Sequence, residues 1–417
     1  MDGVKLTSDQ EKAKECMLDW FFNRSAQTFV LFGYAGTGKT FLIDYVVREC
    51  FRLVPDESAM FVTPTGKAAT VLIRAGTPAG TIHSLIYRKE EAEETYVDEE
   101  TGEIFKRERL VFKKRGSIAD EIKLLVIDEA SMVNDETIGD LLSFGVKCLF
   151  SGDDAQLPPV QGRNSLIPDV TLTEIVRQEA ENPIVRVASL AREGGPIPYG
   201  TYGDSVCVIP RRKFQGDVRA RLLKAADQIL CGTNSTRNKV NAEVRSLLGY
   251  EGTLPQSGEK LICTLNNWDR SIDCEEKFHL VNGIIGYCQN PAYFADDLAK
   301  CAFRAEFLDD VIDDVPFDTG IFSHGMFRYG FGKERMVCLL SDGSVVTQDE
   351  GRRGKTFVEE VEPANRFEFG YVITCHKAQG SEFDFVIVFD ESYCFSERSK
   401  WLYTAITRAK QKLLIVR

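Results

Sequence analysis

Thr28-Phe29-Val30-Leu31-Phe32-Gly33-Tyr34-Ala35-Gly36-Thr37-Gly38-Lys39-Thr40 is the stretch that decides the fold. The apolar run Phe29 to Phe32 reads as a buried strand, and it feeds directly into Gly33-x-x-x-x-Gly38-Lys39-Thr40, the spacing of a phosphate-binding loop. Gly33, Gly36 and Gly38 let the backbone take turns that side chains forbid, so several N–H groups can point at one anion. Lys39 adds a charge and Thr40 a hydroxyl for Mg²⁺. A chance glycine-rich turn before a helix would look similar. The strand before it and the apolar-rich helix expected from Phe41 to Val47 favour triphosphate binding. The loop alone does not say what hydrolysis drives.

At 417 residues the chain exceeds one core's usual size, so roughly two or three domains are expected, and 43% apolar residues suffice to bury them. No apolar run is long enough to span a membrane, and the N-terminus, with Asp2, Lys5 and Asp9, lacks a signal peptide's order. A cytoplasmic setting is expected, the host's if the chain is phage-encoded. Twelve cysteines form no Cys-x-x-Cys pair and four histidines none at ligand spacing, so reduced, mostly buried thiols are expected rather than a metal site. A net charge of −12 argues against a nucleic-acid binder that works through a global positive field. Much of the acid sits in Glu90 to Glu103 and Asp296 to Asp318, which leaves room for a confined cleft.

Residues 7–23 read as an amphipathic helix capped by Thr7 or Ser8. Gln10 at its start could meet a flat base through its amide, or simply face water. Ala59 to Val62 is a second strand, ending in Thr63-Pro64-Thr65-Gly66-Lys67, whose hydroxyls and lysine suit phosphate oxygens. Gly80-Thr81-Ile82-His83-Ser84 has the same make-up, and both would also serve as capped turns. Residues 87–115 read as an inserted β-hairpin turning at Asp98 to Glu103, which must lean on something to be stable. Leu124 to Ile127 delivers Asp128-Glu129 to a parallel strand's C-terminal edge, where open α/β sheets bind ligands. There Asp128 would hold Mg²⁺ and Glu129 would orient and deprotonate water. Val146 to Phe150 delivers Gln156, an uncharged group that could sense a γ-phosphate, and Arg177 follows on a short polar-flanked segment. A second αβ run begins near Ile184 with no phosphate loop of its own, which suits a partner wall for a nucleotide held elsewhere. Residues 291–363 break the αβ rhythm as a small β-rich insertion, and the pattern resumes at Gly370.

These segments, in this order, resemble the superfamily 1 helicases, most of all the 5′→3′ class containing RecD and the phage helicase Dda. The resemblance implies an α/β fold of two tandem RecA-like parallel-sheet domains. They would occupy 1–86 with 117–180 and 181–290 with 364–417, with a β-hairpin pin at 87–116 and a small β-barrel-like insertion at 291–363. Gln10 then looks like the adenine-reading glutamine, and Gly33, Ala35, Gly36, Thr37, Gly38, Lys39, Thr40, Gly380 and Glu382 complete the ATP set. Thr40 and Asp128 would hold Mg²⁺. Lys39, Asp128, Glu129, Gln156 and two arginine fingers, Arg177 and Arg408, are the implied catalytic residues. Thr63, Pro64, Thr65, Lys67, Thr81, His83, Asn234, Thr374 and His376 are candidate single-strand contacts, and Tyr96, Phe105 and Phe112 belong to the pin.

The implied activity is ATP-dependent 5′→3′ translocation on single-stranded DNA with duplex unwinding. The implied partners are single strands, strand junctions, and replication or single-strand-binding proteins, and a monomer is expected. A translocase that strips bound proteins, an RNA-directed helicase, and an unrelated phosphate-loop switch are the rival readings. The switch leaves Thr404-Ala405-Ile406-Thr407-Arg408 unexplained.

Overall fold

The computed structural model describes residues 5–97, 104–159, 162–176, 181–265, 267–274, 278–295, 298–318, 329–330, 334–339, 345–349 and 365–417. Two compact units emerge, Met1–Pro64 with Ala68–Ala180, and Thr65–Lys67 with Glu181–Arg417.

In the first unit, β1 (Thr28–Gly33), β2 (Ala59–Thr63), β3 (Ala79–Thr81), the inserted strands β4 (Tyr87–Val97) and β5 (Ile104–Lys114), then β6 (Leu124–Ile127), β7 (Lys147–Gly152) and β8 (Val170–Leu172) follow in chain order. Six of them form one sheet ordered β3-β2-β6-β7-β1-β8, with every pairing parallel. A parallel sheet is covered on both faces, which is why its strands read as unbroken apolar runs. Period-2 alternation sorts β1 accordingly. Phe29 and Leu31 join the core under helices α1 (Ser8–Asn23) and α2 (Lys39–Tyr45), with Met17, Trp20 and Leu42, while Val30 and Phe32 join the opposite core with Ile82, Ile86 and Leu141.

Strands β4 and β5 pair antiparallel in unbroken register from Tyr87↔Lys114 to Val97↔Ile104. The support such a hairpin requires comes at its base from one carboxylate. Asp140 accepts a hydrogen bond from the Tyr87 hydroxyl at 2.5 Å and pairs with Lys114 at 3.2 Å. Burial, with this neighbour adding to it, pushes the Tyr87 phenol up to about 12. The turn at 98–103 and the side chains of Tyr96, Phe105 and Phe112 lie outside the described residues.

The second unit's main sheet is ordered Val372–Thr374, Gln228–Cys231, Phe383–Phe389, Ala409–Val416, Val206–Ile209, Gly200–Tyr202, and only the last pairing is antiparallel. Over its five parallel strands this repeats the first sheet. Gln228–Cys231 stands where β2 stands, and Phe383–Phe389 where β6 stands.

A closed five-stranded barrel is inserted, running Ile285–Cys288, Lys260–Cys263, Asn365–Phe369, Ile312–Asp318, Leu298–Ala305 and back to Ile285–Cys288. Phe303, Phe317 and Phe367 fill it, with ring centroids 5.0 and 5.9 Å apart. It therefore begins at Lys260, ahead of the boundary expected at residue 291. Lys260–Cys263 is fully buried and apolar after its lysine, so it reads like one more strand of an α/β sheet.

Closure depends on Gly286, paired with both Leu261 and Ala305, because a Cβ there would strike the Arg304 carbonyl and the Phe303 ring. Gly286→Ala should cost about 1–3 kcal/mol through overpacking. Thermal unfolding checks this, and an unchanged midpoint would show that the barrel closes with room to spare.

Candidate functional site

The loop between β1 and α2 is shaped by its own backbone. Gly36 and Gly38 have φ of +79° and +73°, a region that costs other L-residues energy. Gly33 packs so closely that a Cβ would lie 2.9 Å from that of Leu172. Thr37, fully buried, donates its hydroxyl to the Tyr34 carbonyl at 2.8 Å, and the Gly36 carbonyl accepts the Val176 N–H at 2.9 Å. The Lys39 ammonium bends back over the loop and donates to the Gly33 and Tyr34 carbonyls at 2.6 and 3.3 Å.

Gln10 does not face water. It is 3% exposed, its Oε1 accepts the Thr7 N–H in a reciprocal capping box, and its Nε2 donates to the Thr37 carbonyl at 3.0 Å. A residue that sequence reasoning passed over fixes this end of α1. One oxygen of Asp9 accepts from the Thr173 N–H, the Thr173 hydroxyl and the Glu174 N–H, all within 3.0 Å. Those donors, the Thr173 N–H foremost, hold the Asp9 carboxyl below its ordinary range.

At the C-terminal edge of β6, Glu129 adopts φ +53°, uncommon for a residue with a side chain, and donates its N–H to Asp128 Oδ1 at 3.0 Å. Beside it, after β7, Gln156 is buried and donates from its backbone to the Asp153 carbonyl at 3.2 Å. Thr40 is exposed in the first turn of α2. Among the described residues no group of three or more His, Cys, Asp or Glu could hold a metal by itself. Thr40 and Asp128, a hydroxyl and one carboxylate, suit an ion that takes its other ligands from phosphates and water, as Mg²⁺ does. Arg177 lies outside the described residues.

Among the residues that follow the first sheet's strands, Thr63 is fully buried at the end of β2, Pro64 and Thr65 are half-buried, and Lys67 stands in the helix Gly66–Arg74. Thr81 caps the helix Ile82–Ile86 by accepting the Ser84 N–H at 3.1 Å, and His83 is exposed. In the second unit Thr233 caps the helix Asn234–Leu248, putting exposed Asn234 at its first position. Thr374 ends the adjacent strand. His376, half-buried, has its ring 5.6 Å from that of Phe395, and burial lowers its pKa. Gly380 turns at φ +67°, and Glu382 is exposed. Arg408 is 4% exposed, its guanidinium donating to the Thr404 and Ser381 carbonyls and the Thr407 hydroxyl at 3.1–3.2 Å.

Glu391 was also missed. Buried at 4% exposure, it accepts the Gly232 and Thr233 N–H groups at 2.8 and 2.9 Å and the Thr236 hydroxyl at 2.6 Å, fixing the loop that leads to Asn234. A signal existed. Asp390-Glu391 follows Phe383–Phe389 just as Asp128-Glu129 follows β6. Glu391→Gln, which turns an acceptor pair into an acceptor and a donor facing N–H groups, should cost about 1–3 kcal/mol. Chemical denaturation reads this out, and a loss below about 0.5 kcal/mol would remove Glu391 as the loop's anchor.

The two repeated sheets, the glycine loop and the acidic strand end define a tandem RecA-like protein of the phosphate-loop class. A family model described as an AAA domain matches residues 5–205, and a UvrD-like helicase C-terminal domain matches residues 369–416. The ATP-dependent RecD2 DNA helicase of Deinococcus radiodurans is 25% identical over 397 residues, covering 92% of this chain and 46% of the relative. An uncharacterised protein, MJ1519, of Methanocaldococcus jannaschii is 25% identical over 93% of this chain and 36% of its own length. The chain thus spans about a third to a half of these relatives. Among solved structures, a Pif1 helicase on forked double-stranded DNA has a TM-score of 0.53 at 18% identity, covering 99% of this chain and 92% of that one. Bacteroides Pif1 bound to single-stranded DNA has a TM-score of 0.50 at the same identity and coverages. Over most of its length the chain is thus similar to helicases of the RecD and Pif1 type.

Proposed function

We propose that the chain is an ATP-dependent 5′→3′ DNA helicase that steps along single-stranded DNA and unwinds duplex. The carrying observation is the division of labour between two like sheets. The first holds a glycine loop with Lys39 and an acidic strand end, whereas the second has no such loop and carries Arg408 in a buried, pre-set position. Lys39 exchanges its loop carbonyls for phosphate oxygens, Gln10 reads the base, and Gln156 contacts the γ-phosphate. Glu129 takes a proton from the attacking water. Thr40 and Asp128 would hold Mg²⁺, which would supply positive charge against the transferring phosphoryl group. Arg177 and Arg408 bring further positive charge to the transition state, and Gly380 and Glu382 link the strand to the nucleotide.

Strand contacts come from the C-terminal strand ends of each sheet, Thr63, Pro64, Thr65, Lys67, Thr81 and His83 in the chain's first part and Asn234, Thr374 and His376 in its second. Closing and opening around ATP then becomes directional movement. Strand junctions are the working substrate, the chain acts as a monomer, and replication or single-strand-binding proteins are its partners. No described helix is long and apolar enough to cross a membrane.

Lys39→Ala should abolish turnover. Arg408→Ala should lower strand-stimulated turnover by about 10³-fold while ATP affinity stays within a few-fold. Steady-state hydrolysis and nucleotide titration separate the two effects, and lost affinity with normal turnover would take Arg408 off the catalytic list.

The hairpin, braced at Asp140, serves as the pin that parts the strands, with Tyr96, Phe105 and Phe112 on it. Deleting residues 95–112 should therefore abolish unwinding and spare strand-stimulated hydrolysis. Intact unwinding after the deletion would favour a translocase that displaces proteins.

A further inference from the structure

Arg237 and Lys377 meet one carboxylate. Arg237 NH1 lies 2.7 Å and Lys377 Nζ 2.8 Å from the same oxygen of Glu368, and the three side chains are 12, 25 and 15% exposed. Arg237 also donates to the Asn238 side chain at 3.2 Å. Two cations against one carboxylate leave one positive charge uncompensated within the group. The cluster is partly dry, so that charge is screened less than a surface one.

Its place in the fold gives it meaning. Arg237 lies in the first turn of the helix Asn234–Leu248, at the C-terminal end of Gln228–Cys231. Lys377 follows His376 at the C-terminal end of Val372–Thr374, the adjacent strand, with Cys231 paired to Thr374. Glu368 comes from a different element, the barrel strand Asn365–Phe369, where it is paired with Ile262. The barrel thus reaches onto the sheet edge that carries Asn234, Thr374 and His376.

We propose that Arg237 and Lys377 form a backbone-phosphate subsite for single-stranded DNA, and that Glu368 is its built-in competitor. The proposal rests on the helicase reading and adds two contacts and a gate to it. In the strand-free protein Glu368 keeps both cations aimed and partly neutralised. A phosphate of the incoming strand presents several acceptor oxygens where Glu368 offers one to both cations, and it draws them off. Because Glu368 sits four residues before Val372, the released carboxylate frees the joint between barrel and sheet at the moment the strand is gripped.

The test is anisotropy of a labelled oligo-dT with the full chain across a salt series, without nucleotide. Glu368→Gln keeps the side chain's size and removes the competitor, so it should tighten binding roughly tenfold. Lys377→Ala and Arg237→Ala should each weaken binding, and each should reduce the slope of log K against log salt by about 0.7. Unchanged or weaker binding by Glu368→Gln overturns the gate. Unchanged affinity and slope in both cation variants overturns the subsite, provided the wild-type chain binds. A wild-type chain that does not bind oligo-dT overturns the helicase reading and the subsite together.

Discussion

The structure depends on a loop whose backbone is held in a shape that side chains resist. Two glycines with positive φ open the turn between β1 and α2, and Gln10 and Thr37 tie it down from the side. Asp9 anchors the start of α1 to the segment after β8, and the Thr7 capping box holds Gln10 in place there. The Gln10 amide and the glycine loop are therefore one mechanical unit. A change in the loop is felt at Gln10 without any long-range relay, since a Cβ on Gly38 would lie 2.7 Å from its Nε2.

The second sheet shows what happens when such a unit is copied without its loop. The order of five strands repeats, and an Asp-Glu pair follows the matching strand in each sheet. In the first, Asp128 and Glu129 are half-exposed at a strained turn. In the second, Asp390 pairs with Arg417 at 2.6 Å and Glu391 is buried against backbone N–H groups. Identical residues at equivalent positions serve as candidate chemistry in one sheet and scaffold in the other. Burial and partners make the difference.

Much of this was legible because local spacing encodes it. The glycine loop, the fully buried strands and the residues at their C-terminal ends follow from periodicity and from where parallel sheets bind ligands. The hairpin was legible too, though not Asp140, which braces it from an element further along the chain. What could not be read depends on partners far apart in sequence. Glu391 and Gly232 are 159 residues apart, and Asp9 and Glu174 are 165. By spacing alone Gln10 could have met a base or faced water, and what separates the two is its contact with Thr37, 27 residues away. The barrel's first strand was hidden because complete burial gives a barrel strand and a parallel strand the same apolar signature.

The central claim, a motor that takes a defined direction along DNA, is tested most directly by unwinding of matched duplexes with a 5′ or a 3′ single-stranded tail, with ATP. The account predicts efficient strand separation from the 5′ tail and little from the 3′ tail. Equal separation from both tails, or a preference for the 3′ tail, would contradict it.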